Sequence, residues 1–234
     1  MQTKILYEDK DILVVHKPAG LAVQTAHIRQ QDVESELKNY LAGGGKAPYL
    51  GVIHRLDQPV EGLLVFAKNG KAAAALSKEL QDKIFCKEYL AAVCGNPAQE
   101  EEELVNYLLK EKGRAVVLNA DESIPNKEAK RAVLRYRVEE RSVTAAGEIS
   151  LLRIWLETGR FHQIRAQLSH AGIPILGDSK YENGASGKIA EALGIRHTAL
   201  CACRLMFSHP MSGKEMEYTV NPENPAFSFF HTDK

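Results

Sequence analysis

Apolar positions recur along this chain mostly with a period of two or in short unbroken runs, and only a few segments shift to a period of 3.6. "KILYEDKDILVVHKPAG" predicts two short strands parted by a polar turn at Glu8 to Lys10 and closed by a Pro-Gly turn. "EGLLVFAKN" is apolar on both faces, the pattern of a central strand, and "CKEYLAAVCG" predicts another. Further strands are expected in "GRAVVLNA", "AKRAVLRYRVEE", "EISLLRIWLE", "TALCACRLMFSH" and "KEMEYTV". Helices are expected at "QDVESELKNYLAGGG", running from about Asp32 to a glycine stop, at "GKAAAALSKELQDK", and at "RFHQIRAQLSHAG", ended by Gly172 and Pro174. The acidic run Glu100 to Glu103 fits a solvated helix start favoured by the helix dipole, and it should face away from any polyanion. Many strands with helices inserted irregularly imply an α+β fold: a mixed, mostly antiparallel central sheet flanked by helices.

Composition narrows the class without naming an activity. The 234 residues fit one large domain or two closely joined subdomains. Thirty basic side chains balance thirty acidic ones, so a polyanionic partner would need a local basic surface. The start, "MQTKILYEDKD", lacks the apolar run and cleavage site of a secretion signal, and no stretch approaches the ~18 apolar residues of a membrane span. Four cysteines without framework spacing suit a reducing compartment, and the cytoplasm is the expected location.

Several stretches invite a chemical reading. "LAGGGKA" resembles a phosphate loop only superficially, since it follows a helix and has Ala47 where a metal-binding hydroxyl belongs; a glycine helix stop and mobile loop is expected. Cys201 and Cys203, near His197 and His209, read as buried small residues, because zinc sites use wider paired spacings. No serine elbow, Cys-His pair or dinucleotide fingerprint appears. On the strand "AKRAVLRYRVEE", Ala132, Leu134, Tyr136 and Val138 share one face and Arg131, Arg135 and Arg137 the other. Alternate residues stand ~6.8 Å apart, close to a phosphate spacing, although a solvated sheet face gives the same alternation. On the later helix, Phe161, Ile164 and Leu168 form an apolar stripe with Arg165 at its edge, while Gln163, Gln167 and His170 point elsewhere. An arginine there needs a fixed anion, unless it snorkels with its head in water. Asp57, in "GVIHRLDQPVEGLLVFAKN", is the acid most in need of a cation.

"HRLD" followed by "GLLVFAKN" resembles the catalytic signature of the RluA-type pseudouridine synthases. "DILVVHKPAGLAV", "KEYLAAVCG", "ETGRFHQIRAQLSHAGIPILGDSKY" and "RLMFSHPMSGKEMEY" resemble that family's other motifs, in its order, from about Ile5 to Tyr218. The resemblance implies a pseudouridine synthase catalytic fold with a cleft between two subdomains, filling 1–234 without a separate N-terminal RNA-binding module. It implies isomerisation of specific uridines in structured RNA, rRNA or tRNA, by a monomer with no metal and no nucleotide or other cofactor. By position Asp57 matches the essential aspartate, Tyr89 the tyrosine that contacts the base, and Arg165 the basic partner of the aspartate. Arg55 matches the arginine that enters the space of the flipped nucleotide in some members, with a surface salt bridge as its alternative. Tyr89 has the alternative of packing in the core. His54, Leu56, Arg160, His162 and Ile164, as motif neighbours, join the arginine row Arg131, Arg135 and Arg137 as substrate-binding candidates; His54 reads as a hydrogen-bonded structural histidine.

The sequence departs from the family at Gln58, Pro59, Val60 and Glu61, where a basic residue and a hydroxyl pair are usual, at Gln24-Thr25, and at Phe161 and Gln167, where threonine and histidine are common. These changes bear on RNA choice more than on chemistry. Two other readings follow: an RNA-binding or ribosome-assembly factor with weak catalysis, and a nucleoside hydrolase using Asp57 as base.

Overall fold

A computed structural model describes residues 1–26, 30–43, 45, 48–118 and 128–231. It divides into two compact units, Met1–Lys87 with Cys201–Glu223 and Glu88–Leu200 with the segment from Asn224 onward. Both are built on antiparallel strands with few helices, the mixed, mostly antiparallel α+β class that the patterning implies.

In the first unit, β1 (Lys4–Glu8), β2 (Ile12–Lys17), β3 (Gly51–Val52) and β4 (Glu61–Ala67) are joined by β10 (Leu200–Ser208) and β11 (Glu215–Thr219). The order is β1–β2–β4–β10–β11, with β3 alongside β4. Strand β4 lies between β2, antiparallel to it, and β10, parallel to it, and all seven of its residues are buried. That is why its sequence shows no alternation. Gly62 has φ +129°, and a Cβ there would come within 2.5 Å of the Ala202 backbone. Only glycine lets β4 begin against β10. Helices α1 (Val33–Ala42) and α2 (Gly70–Gln81) complete the unit, with Ala72 and Leu76 of α2 packed against Ile12, Val14, Leu63, Val65 and Phe85. Asp32 and Ser35 form a capping box on α1, and Asn69 caps α2. Gly43 ends α1 in the left-handed region; residues 44, 46 and 47, where a mobile loop is expected, lie outside the described residues.

The second unit orders its strands β5–β9–β8–β6–β7, with β5 (Cys86–Cys94), β6 (Glu101–Glu111), β7 (Arg114–Leu118), β8 (Lys130–Thr144) and β9 (Gly147–Leu156), all antiparallel. Helices α3 (Gln163–His170) and α4 (Gly184–Ala192) and a 3₁₀ turn at Pro225–Phe229 are added. The acidic run corrects the expectation of a helix start, because Glu101–Glu103 begin strand β6. Their backbone is paired with Arg137, Tyr136 and Arg135 of β8, so the antiparallel ladder outweighs the helix-dipole preference.

Helix α3 brings a second correction. Phe161 precedes it instead of lining its apolar stripe, and Gln163 and Gln167, expected to point away, are buried. Each glutamine finds backbone partners inside the fold: Gln163 Nε2 donates to the Val133 carbonyl at 3.0 Å, and Gln167 Nε2 to the Leu104 carbonyl at 3.0 Å. Gln163 is bonded through both ends of its amide, whereas Gln167 is bonded through its N–H₂ group alone and leaves its buried Oε1 without a partner among the described residues, and hydropathy registers neither arrangement.

Candidate active site

Asp57 lies in the first unit on the loop between β3 and β4. The chain turns tightly after it, with the Val60 N–H donating to the Asp57 carbonyl at 3.1 Å, and then enters buried β4. The carboxylate-bearing residue is half-buried, Leu56 beside it is buried and Arg55 is exposed. Arg55 makes no ion pair among the described residues, so the salt-bridge alternative is not seen there.

What holds this loop is a residue that sequence reasoning missed. Lys17, the last residue of β2, is fully buried and donates to the carbonyls of Pro18 at 2.8 Å, Leu21 at 2.7 Å and Gln58 at 3.1 Å. It ties the Pro-Gly turn to the residue directly after Asp57. Gln58 reinforces the tie: its carbonyl accepts from the Gly20 N–H at 2.9 Å and its side chain donates to the Gly20 carbonyl at 3.0 Å. Burial pushes the Lys17 ammonium down to about 7, opposed by the nearby negative charges of Asp57 and Glu61. Glu61 is itself buried and accepts from the Glu223 N–H at 3.0 Å. The signal for Lys17 was faint, a lysine beside His16 at the end of an apolar strand.

His54 is buried behind the loop. Its Nε2 accepts from the Val65 N–H of β4 at 3.3 Å, and its ring meets Phe85 edge-on. Burial, with a smaller effect of the Lys87 charge, pushes its pKa down to about 3, so the ring is neutral. It anchors the loop to β4, as the structural reading expects.

Tyr89 and Arg165 lie in the second unit. Tyr89 is buried on β5, opposite Ile154, which in turn faces Tyr136 of β8. Arg165, on α3, is only 4% exposed, which overturns a guanidinium snorkelling into water. Its Nε and Nη2 donate to the two carboxylate oxygens of Asp178, each at 2.7 Å, and its guanidinium lies 5.1 Å from the Tyr181 ring centroid. Asp178, fully buried, was not singled out from the sequence. It follows Gly177, whose φ of +71° and close approach to the His197 carbonyl exclude a side chain there. A fixed anion for Arg165 is therefore built into its own unit. Ile164 is buried beside it.

The arginine row is placed differently. Arg135 and Trp155 are paired across β8 and β9, and Trp155 is paired with Glu88, so these residues occupy the sheet face opposite Tyr89, Ile154 and Tyr136. Arg135 and Arg137 both lie over the Trp155 ring, Arg137 also bonds Glu139 at 2.7 Å, and Arg131 is 3.8 Å from Glu157. Arg160 donates to the Arg131 carbonyl at 3.0 Å, and His162 caps α3 with φ +51°.

Cys201 and Cys203 are buried free thiols, as expected. Among the described residues one group of candidate metal ligands converges: Asp9, Asp11 and His209, at the end of β4 away from Asp57. His209 Nδ1 faces the N–H groups of Met211 and Ser212, which puts its proton on Nε2, donating to Asp9 at 2.8 Å. The set is thus arranged as a turn brace, with the imidazole lone pair already used.

A family profile described as RNA pseudouridylate synthase matches residues 11–170, spanning the Asp57 loop, the Tyr89 strand and the Arg165 helix. The chain belongs to that family. Ribosomal large subunit pseudouridine synthase D of Zymomonas mobilis is 32% identical over 92% of this chain and 68% of its own length. Ribosomal large subunit pseudouridine synthase C of Escherichia coli is 35% identical over 91% of this chain and 64% of its own length. This synthase therefore spans about two thirds of the length of such relatives. The structure of human RNA pseudouridylate synthase domain containing 1 superposes with a TM-score of 0.76 at 22% identity, covering 94% of this chain and 83% of that one, which establishes the shared fold. Family membership makes this synthase an RNA-modifying isomerase. No helix among the described residues is long and apolar enough to cross a membrane.

Proposed function

We propose that this synthase converts specific uridines of large-subunit ribosomal RNA to pseudouridine, with Asp57 as the catalytic group. Its relatives are named for that RNA. The observation that carries the reading is the construction around Asp57: a half-buried acid on a loop fixed by a buried lysine, a glutamine brace and a neutral histidine. A carboxylate set that firmly is spared reorganisation during reaction.

The reaction breaks the nitrogen–carbon glycosidic bond, turns the uracil and rejoins it through its fifth carbon. A carboxylate serves either as nucleophile at the sugar or as base toward the neighbouring ribose proton. In this proposal Arg165 is the cation that serves Asp57, and Asp178 fixes its orientation. Tyr89 stacks on the base and relays the final proton from carbon. Arg55, exposed beside the acid, fills the gap that the extruded nucleotide leaves in its stack. The synthase works as a cytoplasmic monomer, as one catalytic domain, without a metal or cofactor.

The test uses RNA from a strain lacking the gene, treated with wild-type or Asp57→Asn protein, followed by mapping of pseudouridine. Discrete sites appearing with wild type alone are expected. Equal, undetectable modification by both would count against the proposal.

A further inference from the structure

Phe161 is a large apolar side chain left 39% exposed on the second unit, and it is held in an unusual way. Its ring stacks on the His162 imidazole, with centroids 3.7 Å apart and planes within 20°. The imidazole is immobilised in turn: Nδ1 lies 2.8 Å from the Tyr181 hydroxyl, which accepts from the Ala115 N–H at 2.6 Å. His162 also adopts φ +51°, a backbone region that costs a residue with a Cβ about 1–3 kcal/mol. Strained backbone and a double anchor together present one flat aromatic ring to solvent.

A cation covers that ring. Lys110 places its ammonium 4.7 Å from the Phe161 centroid, necessarily on the face that His162 does not cover. Lys110 is exposed, so its tail is free to leave when another group arrives. Arg160, the residue before Phe161, donates to the Arg131 carbonyl, and Arg114 lies over Tyr181, the residue that anchors His162. An exposed aromatic with a cation over its face is the arrangement that holds single-stranded nucleic acid, by base stacking and phosphate pairing.

We infer that the outer face of Phe161 is a stacking platform for an unpaired base of the RNA, other than the uridine being isomerised, with Lys110 moving from the ring to a phosphate as that base docks. This assigns Phe161 as a specificity-determining residue and rests on the reading of the chain as an RNA-modifying synthase. An oligonucleotide replaces only a mobile ammonium, while His162 remains as the lower layer.

The experiment measures binding of fluorescent 12-mer oligoadenylate, oligouridylate and a transcribed large-subunit rRNA fragment to Asp57→Asn protein, which separates affinity from turnover. Phe161→Ala is expected to weaken binding about 5- to 150-fold, the range of one base–aromatic stack, while Phe161→Trp retains it. Oligoadenylate should lose more than oligouridylate. Phe161→Leu keeps an apolar cover over His162 but removes the flat ring, so it guards against a folding defect in the alanine variant. Binding by Phe161→Leu equal to that of the parent overturns the platform, as does equal loss for a DNA hairpin with no unpaired base. Absence of pseudouridine formation by the wild type strikes the proposed function alone, because the binding comparison stands without it.

Discussion

The Arg165–Asp178 pair gives the sharpest test of how the second unit is held. Asp178→Asn preserves shape but removes the charge and turns one acceptor into an N–H₂ group facing a guanidinium N–H. Two charge-assisted bonds of 2.7 Å are at stake in a place where Asp178 meets no water and Arg165 almost none. Hydrogen bonds to charged groups contribute roughly 1.5–3 kcal/mol each. Breaking a buried ion pair from one side typically costs about 3–5 kcal/mol, because the remaining charge stays buried. For a chain of this length that cost corresponds to a fall in Tm of about 6–20 °C by differential scanning calorimetry. Turnover should fall while RNA affinity is kept, since Asp178 acts through the orientation of Arg165. Replacing the partner as well, in Arg165→Met/Asp178→Asn, should recover part of the lost stability. A single variant melting within about 2 °C of wild type, with normal turnover, would refute the argument that Asp178 is the fixed anion of Arg165.

Two pH effects follow from buried bases in the first unit. Lys17 is pushed down to about 7, so below that pH folded and unfolded chains both carry the proton and the burial cost is complete. Above it only the unfolded chain stays charged, and this group should add roughly 2–3 kcal/mol of stability between pH 6 and pH 9. Urea denaturation at both pH values checks this, and Lys17→Met should lose that increment; an unchanged pH slope in the variant would contradict it. His54, pushed down to about 3, binds a proton in the unfolded chain from about pH 6.5 downward but stays neutral in the folded one. Stability should therefore fall by roughly 2 kcal/mol between pH 8 and pH 5 from this residue. An NMR titration in which the His54 ring shows a midpoint near its ordinary value would sink the account.

Residues that bury apolar surface at regular spacing were legible from the sequence. Strand β4 announced itself by an unbroken apolar run, α1 and α2 by their caps, and β8 by alternation of arginines with Ala132, Leu134 and Tyr136. The ordered motifs singled out Asp57, Tyr89 and Arg165 as candidates. What escaped were features fixed by partners distant in sequence. Glu101 and Glu103 become strand residues because the backbone of β8, about thirty positions away, pairs with theirs. Helix α4 and the short β3 lack strong periodicity. Lys17 and Asp178 look like surface charges until their partners appear, carbonyls from two turns in one case and a helix arginine in the other.

The glutamates that oppose the β8 arginines have one more effect. They leave the back of that sheet with alternating signs at short range, so a long polyanion passing along it finds neither a trough to settle in nor a wall to recoil from. Encounters along that row should be brief and only weakly sensitive to added salt.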